Sequence, residues 1–301
     1  MNDNFIIDMK LTDSKNLLSA KEKKNDEFYT LYEDIENEVL LHSEMFKDKV
    51  VYCPCDNHTV SNFSKFFRDN FEKLGIKRLI STCYPQGFLE VVDKDSSKKL
   101  NLRGDGDFRS DECQRIMKNC DIVVTNPPFS LFREFVQCLM SNNLKFLIVG
   151  NKNAVQYKEI INEIINGEVW NGYKKWSDGM WFLCKDDEVE GRIRVKNGQR
   201  VKNISAIWFT NFDRPIMPIT FDTKLSFEEG SKLNLYQKYD DSEVINVGRT
   251  EHIPMDYDGE MGVPITFLDK YNPQQFKLLG LLRPKMNGKS IYTRLLIKKR
   301  K

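Results

Sequence analysis

Between residues 49 and 149 the sequence alternates short apolar runs with amphipathic stretches, and this alternation restricts the possible fold more than any other feature. The apolar runs lie at 50–53, 78–81, 121–125 and 146–149, and the stretches with helical spacing of apolar residues lie at 63–74, 110–119 and 132–140. Buried strands separated by helices predict a doubly wound α/β domain with a parallel sheet covered on both faces. Ligands of such sheets bind beyond the carboxyl ends of the strands, so residues directly after each run are candidate site residues.

The sequence DIVVTNPPF at 121–129 ends one of these runs with groups suited to chemistry on a planar amine. Asn126 and a proline backbone carbonyl can accept hydrogen bonds from the two hydrogens of adenine N6, which aims the nitrogen lone pair at an incoming methyl group and stabilises the developing positive charge. Pro127 and Pro128 fix the backbone, and Phe129 can stack on a base removed from a helix. Asn-Pro is also a common turn, but its place at the end of an apolar strand favours the catalytic interpretation.

The segment GRIRVKNGQRVKN at 191–203 alternates apolar and cationic residues around Asn197-Gly198, which predicts a hairpin with a type I′ turn. We expect its cations to lie on one side of the ribbon and to contact DNA; they are Arg192, Arg194, Lys196, Arg200 and Lys202. A solvated amphipathic hairpin is the alternative. Further along, the sequence predicts a strand at 205–210, a helix that starts near Pro273 and a final strand at 294–297.

Charge and cysteine content exclude few partners but indicate the compartment. The chain has 46 Lys and Arg against 44 Asp and Glu, so a nucleic-acid enzyme would need its cations gathered on one face. No apolar run reaches the length of a membrane span, and no secretory signal is recognisable. Seven irregularly spaced cysteines favour a reduced, cytoplasmic protein. Cys53, Cys55 and His58 fit no standard zinc spacing, so no metal site is expected.

The Asn-Pro-Pro-Phe tetrad after a strand resembles the [DNS]-P-P-[YFW] motif of amino-methyltransferases, and the chain is similar to the EcoRI-type adenine-specific DNA methyltransferase family. The segments that carry this resemblance are NDEFYTLYEDIENE at 25–38, DKVVYCPCD at 48–56, VSNFSKFF at 60–67, GDGDFRS at 104–110, DIVVTNPPFSLFREF at 121–135, KFLIV at 145–149 and MDYDGEMGVPITFLDKYNPQQF at 255–276.

The resemblance implies a class I, Rossmann-like, S-adenosylmethionine-dependent methyltransferase with an inserted or appended target-recognition region. The implied division is a polar lead-in at 1–24, a cofactor-binding and catalytic core at 25–150, a target-recognition region with remaining core strands at 151–260 and a C-terminal segment at 261–301. Double-stranded DNA is the implied partner and a monomer the implied state. The enzyme would modify DNA for a restriction-modification system with a partner endonuclease, or act as a solitary methylase.

The resemblance also implies the cofactor contacts. These residues are Phe28, Tyr29 and Thr30 before the first strand, Cys53 and Asp56 after it, Asp107 and Phe108 around the adenine, and Asn126 of the tetrad. The family's Gly-rich loop is absent after Asp56. An acidic residue that would hold the cofactor ribose is also absent after the second strand, where the sequence reads Ser81-Thr82-Cys83-Tyr84. That role has no candidate.

Two alternative functions are compatible with the same residues. A tetrad of this kind also serves methyltransferases of RNA bases and of protein glutamine, which present planar nitrogens of the same kind. The basic segment after residue 190 argues against a protein substrate, and no separate RNA-binding module is recognisable. A catalytically inactive DNA-binding homologue is the other alternative, against which the intact tetrad and Asp107 argue.

Overall fold

The computed structural model describes residues 29–56, 61–184, 191–214, 221–240 and 242–300, and these form two compact units. The first unit contains residues 29–151 and 180–208, and the second contains residues 152–179 and 209–300. The predicted lead-in at 1–24, Phe28 and His58 lie outside the described residues. No helix in the described ranges is long and apolar enough to cross a membrane.

The elements of the first unit follow the predicted alternation. Its helices are α1 (Tyr32–Val39), α2 (Asn62–Asp69), α3 (Asp111–Lys118) and α4 (Phe132–Ser141), with 3-10 turns at Leu40–Phe46 and Phe129–Leu131. Its strands are β1 (Tyr29–Thr30), β2 (Val50–Cys53), β3 (Arg78–Cys83), β4 (Phe88–Asp93), β5 (Ser96–Asn101), β6 (Ile122–Thr125), β7 (Lys145–Asn151), β8 (Met180–Leu183), β9 (Ile193–Lys196), β10 (Gln199–Ile204) and β11 (Ala206–Thr210), the last of which ends in the second unit.

Seven of these strands form one sheet in the order β11-β7-β6-β2-β3-β4-β5. The strands β7, β6, β2 and β3 are parallel, which confirms the four predicted apolar runs as neighbouring strands. The expectation of a wholly parallel sheet is wrong, because β4 and β5 form an antiparallel hairpin that extends the sheet beyond β3. This hairpin escaped prediction because every residue of β5 is exposed, and a strand without a buried side carries no apolar alternation.

Buried side chains explain why the predicted helices form where they do. In α2, Phe63, Phe66 and Phe67 are buried on one side, and the Ser61 hydroxyl caps the helix by accepting the Phe63 N–H at 3.1 Å. A serine caps α3 in the same way, since the Ser110 hydroxyl accepts the Cys113 N–H at 3.2 Å. These caps fix the starts of two helices that follow strands, and so they fix the loops at one edge of the sheet.

Four strands form a second sheet of the first unit, in the order β1-β8-β10-β9. All its pairings are antiparallel, and β9 and β10 form the predicted hairpin. Asn197 and Gly198 have φ angles of 50° and 75°, as a type I′ turn requires at both central positions. The strand β1 joins this sheet through pairs of Tyr29 with Leu183 and Thr30 with Phe182.

The second unit has its own antiparallel-rich sheet. Its elements are α5 (Lys158–Asn166), α6 (Phe227–Lys232), β12 (Tyr236–Lys238), β13 (Ile245–Val247), β14 (Glu260–Pro264), β15 (Phe276–Leu282), β16 (Lys285–Met286), β17 (Lys289–Ser290) and β18 (Arg294–Lys299), with 3-10 turns at Lys152–Gln156, Thr250–His252 and Ile265–Lys270. Its main sheet has the order β12-β13-β14-β18-β15.

The helix predicted to start near Pro273 is wrong, because strand β15 follows this proline. Phe276 and Leu278 are buried while Lys277 between them is exposed, which is the two-residue period of a strand. The register with β18 shifts between Leu278 and Gly280, and this irregularity interrupts the alternation. Because the alternation of buried and exposed residues is interrupted, the spacing of apolar residues in this segment resembled that of an amphipathic helix.

Candidate functional site

A cleft of about 1020 Å³, including its open mouth, lies in the first unit beyond the carboxyl ends of β2, β3 and β6. It is lined by Tyr29, Thr30, Cys55, Asp56, Ser61, Asn62, Phe63, Tyr84, Pro85, Gln86, Asp107, Phe108, Arg109, Asn126, Pro128 and Leu131. Its position is where ligands bind in sheets with parallel strands.

The tetrad leaves β6 and enters this cleft. The buried Thr125 hydroxyl donates to the Pro54 carbonyl at 2.5 Å, so the ends of β6 and β2 are tied together. Asn126 and Pro128 line the cleft, and the Pro128 carbonyl accepts the Leu131 N–H at 3.0 Å as the chain turns into α4. The Pro127 carbonyl accepts no hydrogen bond within the described residues. The turn therefore leaves this carbonyl available beside Asn126.

Asp56 lies at the end of the segment after β2 and is almost completely buried, with 5% of its surface exposed. Its N–H donates to the Thr82 carbonyl at 2.9 Å, and its Oδ2 accepts the Ser64 N–H at 3.1 Å and the Ser64 hydroxyl at 3.0 Å. Burial raises the pKa of Asp56 to about 7, although the hydrogen bonds from Ser61 and Ser64 oppose this change. The carboxyl group is therefore close to half-ionised at neutral pH.

The side of the cleft formed by β1 and the start of α2 contains a buried hydroxyl without a partner. Thr30 is 3% exposed, and its Oγ1 makes no hydrogen bond with any described residue. The Thr30 carbonyl accepts the Asn62 amide at 2.7 Å, so β1 is fastened to the first turn of α2. A buried hydroxyl without a partner is costly unless a ligand satisfies it. The Thr30 hydroxyl therefore marks a position on this wall where a polar group of a ligand can bind.

Asp107 is held in place by its neighbour Arg109. The Arg109 side chain donates to the Asp107 Oδ1 at 3.0 Å and to its Oδ2 at 2.6 Å, and the Arg109 N–H donates to Oδ1 at 2.9 Å. Partial burial would raise the pKa of Asp107, but these hydrogen bonds outweigh burial and hold the pKa below its usual value. Phe108 is buried against Phe135 of α4, with ring centroids 4.9 Å apart. The pair offers an ionised carboxylate next to a fixed aromatic ring.

The structure brings most of the predicted catalytic and cofactor-binding residues together. Seven of them line the cleft, namely Tyr29, Thr30, Asp56, Asp107, Phe108, Asn126 and Pro128. Cys53 is completely buried in β2, and Pro127 and Phe129 lie next to lining residues without lining the cleft themselves. Phe28 lies outside the described residues. The catalytic and cofactor roles of all these residues stay predictions.

Several lining residues were not predicted from the sequence. Ser61 and Asn62 line the cleft at the start of α2, and a serine directly before an apolar helical pattern is a recognisable N-cap that could have identified them. Tyr84, Pro85 and Gln86 form the turn after β3, and Arg109 follows Asp107. These residues carry no pattern in the sequence, since a turn acquires its position only from the strands that it connects.

The cations of the β9–β10 hairpin do not share one side, so that expectation is wrong. Arg194 pairs with Val201, whereas Lys202 pairs with Ile193, and directly opposed residues of a ladder point to the same face. Alternation along each strand puts Arg192, Arg194 and Lys196 on one face, and Arg200 and Lys202 on the other.

The two faces of this sheet differ in burial and in aromatic content. The face with Arg200 and Lys202 also carries Met180 and Phe182, which are completely buried. The opposite face carries Trp181, and the guanidinium carbon of Arg194 lies 3.7 Å from the centre of its ring. That of Arg192 lies 5.7 Å away. The face that carries Trp181 therefore combines cations with an aromatic ring, and it also carries the buried Val201.

Comparison with known proteins identifies the family. The model of a family described as adenine-specific methyltransferase EcoRI matches residues 16–100 and 86–300. The Type II methyltransferase M.EcoRI of Escherichia coli is 41% identical over 323 residues, which cover 96% of this chain and 97% of that protein. M.MgeORF184P of Mycoplasma genitalium is 36% identical, with 93% and 97% covered, and M.MpnI of Mycoplasma pneumoniae is 38% identical, with 87% and 84% covered. No solved structure gives a significant match.

The fold and cleft, together with these relatives, define a methyltransferase built on a mixed α/β fold. The chain belongs to the EcoRI family of adenine-specific DNA methyltransferases, as the resemblance of the tetrad and its flanking segments predicted.

Proposed function

We propose that this enzyme transfers a methyl group from S-adenosylmethionine to N6 of one adenine within a short site in double-stranded DNA. The observation that carries the proposal is a single cleft shared by Asn126 and Pro128 of the tetrad and by Asp56, Thr30 and Asp107. An amine-binding group and the expected cofactor contacts thus meet at the edge of one sheet. The sheet order and the helices between its parallel strands support a doubly wound class I methyltransferase fold.

The residues of the cleft fit S-adenosylmethionine. The buried Thr30 hydroxyl lacks a partner among the described residues and can bind the polar methionine end, and the Asp56 carboxylate can pair with its ammonium group. Asp107 can accept the adenine amine while Phe108 packs beside the ring. The cofactor supplies an electrophilic methyl group on a positively charged sulfur.

The chain's own contribution to the reaction is to hold the target amine. The Asn126 side-chain oxygen and a proline carbonyl of the tetrad can accept the two N6 hydrogens. The Pro127 carbonyl accepts no backbone hydrogen bond among the described residues, and the Pro128 carbonyl accepts one, from Leu131. This arrangement directs the lone pair to the methyl group and stabilises charge as the C–N bond forms. Phe129, partly exposed and next to the cleft, can stack on the extrahelical adenine. The proton leaves the methylated nitrogen without a strong base, because that nitrogen is then acidic.

The first experiment is methyl transfer from labelled S-adenosylmethionine to unmethylated genomic DNA, with total RNA and protein as parallel acceptors. Label in DNA, mapped to N6-methyladenine at one short sequence, supports the proposal. Label only in RNA or only in protein would favour the alternative substrates. Cofactor binding without label in any acceptor would favour an inactive DNA-binding homologue.

We propose that the four-stranded sheet β1-β8-β10-β9 contacts DNA mainly through the face that carries Trp181. Arg192 and Arg194 can bind phosphates from this face, and the Trp181 ring can pack against sugar or base. Lys196 on the same face pairs with Glu33 of α1, so its charge is partly used within the protein. Arg200 and Lys202 lie on the opposite face from Trp181, which makes them the natural control.

Replacing Arg192 and Arg194 together by alanine is expected to weaken binding to all DNA sequences and to reduce the slope of log K against log salt by about 1–2, since each phosphate contact contributes about 0.9. Titration of a labelled duplex at several salt concentrations measures both quantities. The pair Arg200→Ala and Lys202→Ala should change the slope less. An equal or larger change in this control would move the DNA contact to the other face.

The biological role is part of the proposal. The relatives are Type II methyltransferases, which supports modification of DNA against a partner endonuclease. All seven cysteines are free thiols, as in a reducing cytoplasm. We further propose that the enzyme acts as a monomer, and that target recognition uses residues 151–260 and the C-terminal segment supports the core at 25–150. Sedimentation of the enzyme with and without a duplex tests the monomer.

A further inference from the structure

The turn after β3 is the one wall of the cleft to which the proposed function gives no role. Tyr84, Pro85 and Gln86 line the cleft, and β3 is the parallel neighbour of β2. In doubly wound folds that bind adenosine cofactors, an acidic residue near this strand end takes the ribose hydroxyls. The segment 81–87 contains no acidic residue, so the hydroxyls need another partner.

The carboxylates near this wall are already engaged. Of the lining residues only Asp56 and Asp107 are acidic, and the proposed function already assigns them to the ammonium group and to the adenine amine of the cofactor. On β4, Glu90 accepts from Arg68 at 2.6 Å and from Ser97 at 3.0 Å. Among the described residues of this wall, a neutral side chain is then the remaining candidate for the ribose hydroxyls.

Gln86 has the geometry for this role. The Cys83 thiol donates to the Gln86 Oε1 at 2.8 Å, which identifies Oε1 as the acceptor end and orients the amide. Among the described residues the Gln86 side chain has no other hydrogen bond, and the residue lines the cleft, so its Nε2 can donate to a ligand there. An amide can donate to one hydroxyl oxygen and accept from the neighbouring hydroxyl, and a vicinal diol presents that pair.

The turn is also adjacent to the proposed adenine contacts. The Gly87 N–H donates to the Cys83 carbonyl at 3.0 Å and to the Asp105 carbonyl at 3.1 Å. Gly106, with φ of 90°, packs so closely that a Cβ there would lie 2.4 Å from the Cys83 carbonyl oxygen. The turn and the loop that carries Asp107 are therefore in contact, and Gln86 and Asp107 line the same cleft.

We infer that Gln86 binds the ribose hydroxyls of S-adenosylmethionine, in the place that an acidic residue occupies in related folds. The inference rests on the proposed function, because it assigns a further contact to the same cofactor. It makes the ribose contact neutral, so binding of the diol should not depend on the ionisation of a carboxylate.

The test combines protein variants with ligand variants in a thermodynamic cycle. Calorimetry measures the affinity of each protein for S-adenosylhomocysteine and for its 2′-deoxy and 3′-deoxy analogues. The wild-type enzyme should bind at least one deoxy analogue about 10-fold more weakly, the usual size of one hydrogen bond. Gln86→Ala should lose a similar factor with S-adenosylhomocysteine and show no further loss with that analogue. Gln86→Glu should regain the discrimination, and Gln137→Ala, an exposed glutamine of α4, should bind as the wild type does.

The outcomes separate this inference from the proposed function. If Gln86→Ala keeps the full loss on removal of a hydroxyl, or if the wild type does not distinguish the deoxy analogues, the assignment of Gln86 is overturned while cofactor binding stands. If the wild type does not bind S-adenosylhomocysteine, the proposed function fails, and the assignment fails with it.

Discussion

Asn126→Ala is expected to lower kcat by about 10²–10³-fold, the usual effect of removing one hydrogen bond that strengthens in a transition state. The side chain lines the cleft at the end of β6, where its oxygen can hold one hydrogen of the target amine. Without it, the lone pair is no longer directed to the methyl group, and the developing charge loses its partner. Because Asn126 would act on the target rather than on most of the cofactor, the affinity for S-adenosylhomocysteine should change little.

Single-turnover methylation of a duplex and calorimetric binding of S-adenosylhomocysteine separate the two quantities. Asn101→Ala provides a matched control, since Asn101 is exposed at the end of the edge strand β5. Full activity of the Asn126→Ala enzyme would remove the central role of the tetrad. Loss of cofactor affinity equal to the loss of rate would instead assign Asn126 to the cofactor alone.

Asp56→Asn is expected to stabilise the unliganded protein at pH 8 while it weakens cofactor binding. The pKa of Asp56 is raised to about 7 by burial, from 3.8 in the unfolded chain. A carboxyl group whose pKa is higher in the folded than in the unfolded protein contributes most to stability below about pH 4. This contribution is lost as the pH rises from about 4 to 7. The full loss at pH 8 is on the order of 4 kcal/mol, from about three units at ~1.36 kcal/mol each.

An asparagine avoids this loss, because its amide oxygen can still accept from Ser64 but never ionises. The melting temperatures of the two proteins should therefore be similar at pH 4 and should diverge in favour of Asp56→Asn as the pH rises to 8. Asp95→Asn, at an exposed turn, is the control for the loss of a carboxylate. Equal melting temperatures of wild type and Asp56→Asn at pH 8 would contradict a raised pKa.

Cofactor binding should move in the opposite direction. An ionised Asp56 can pair with the cofactor ammonium, and a hydrogen bond to a charged group contributes about 1.5–3 kcal/mol, so Asp56→Asn should weaken S-adenosylhomocysteine binding by roughly 10- to 150-fold at pH 8. In the wild type this affinity should fall as the pH drops below 7, whereas the variant should lack that dependence. The same affinity for both proteins at pH 8 would exclude Asp56 from the cofactor site.

The sequence predicted those strands and helices whose buried side chains form a clear apolar pattern. The strands at 50–53, 122–125 and 145–151 are almost wholly apolar, and the helix that begins at Phe132 has a regular buried stripe. The hairpin turn at Asn197 was predictable because few residues other than asparagine and glycine adopt its backbone angles. Edge strand β5 has no buried side and therefore left no pattern.

The candidate site was predictable only where the chain itself carries a motif. Asn126 and Asp107 belong to segments that resemble a known family, and both line the cleft. Gln86 belongs to no such segment, and it lines the cleft because β3 pairs beside β2. The register of β9 and β10 determines on which face of the sheet each cation at 191–203 lies. This register is not evident from the composition of the segment.

The first unit is discontinuous in the chain, since residues 180–208 return to it after a passage through the second unit. A ribosome must therefore complete residue 210 before the whole of β11 can cover the outer edge of β7, whose middle residues are all buried. Until then the nascent chain presents a long apolar strand edge, the kind of surface that pairs with other chains. Truncation of the gene after residue 151 should accordingly give an aggregating product, and a soluble fragment should require the chain at least as far as β11.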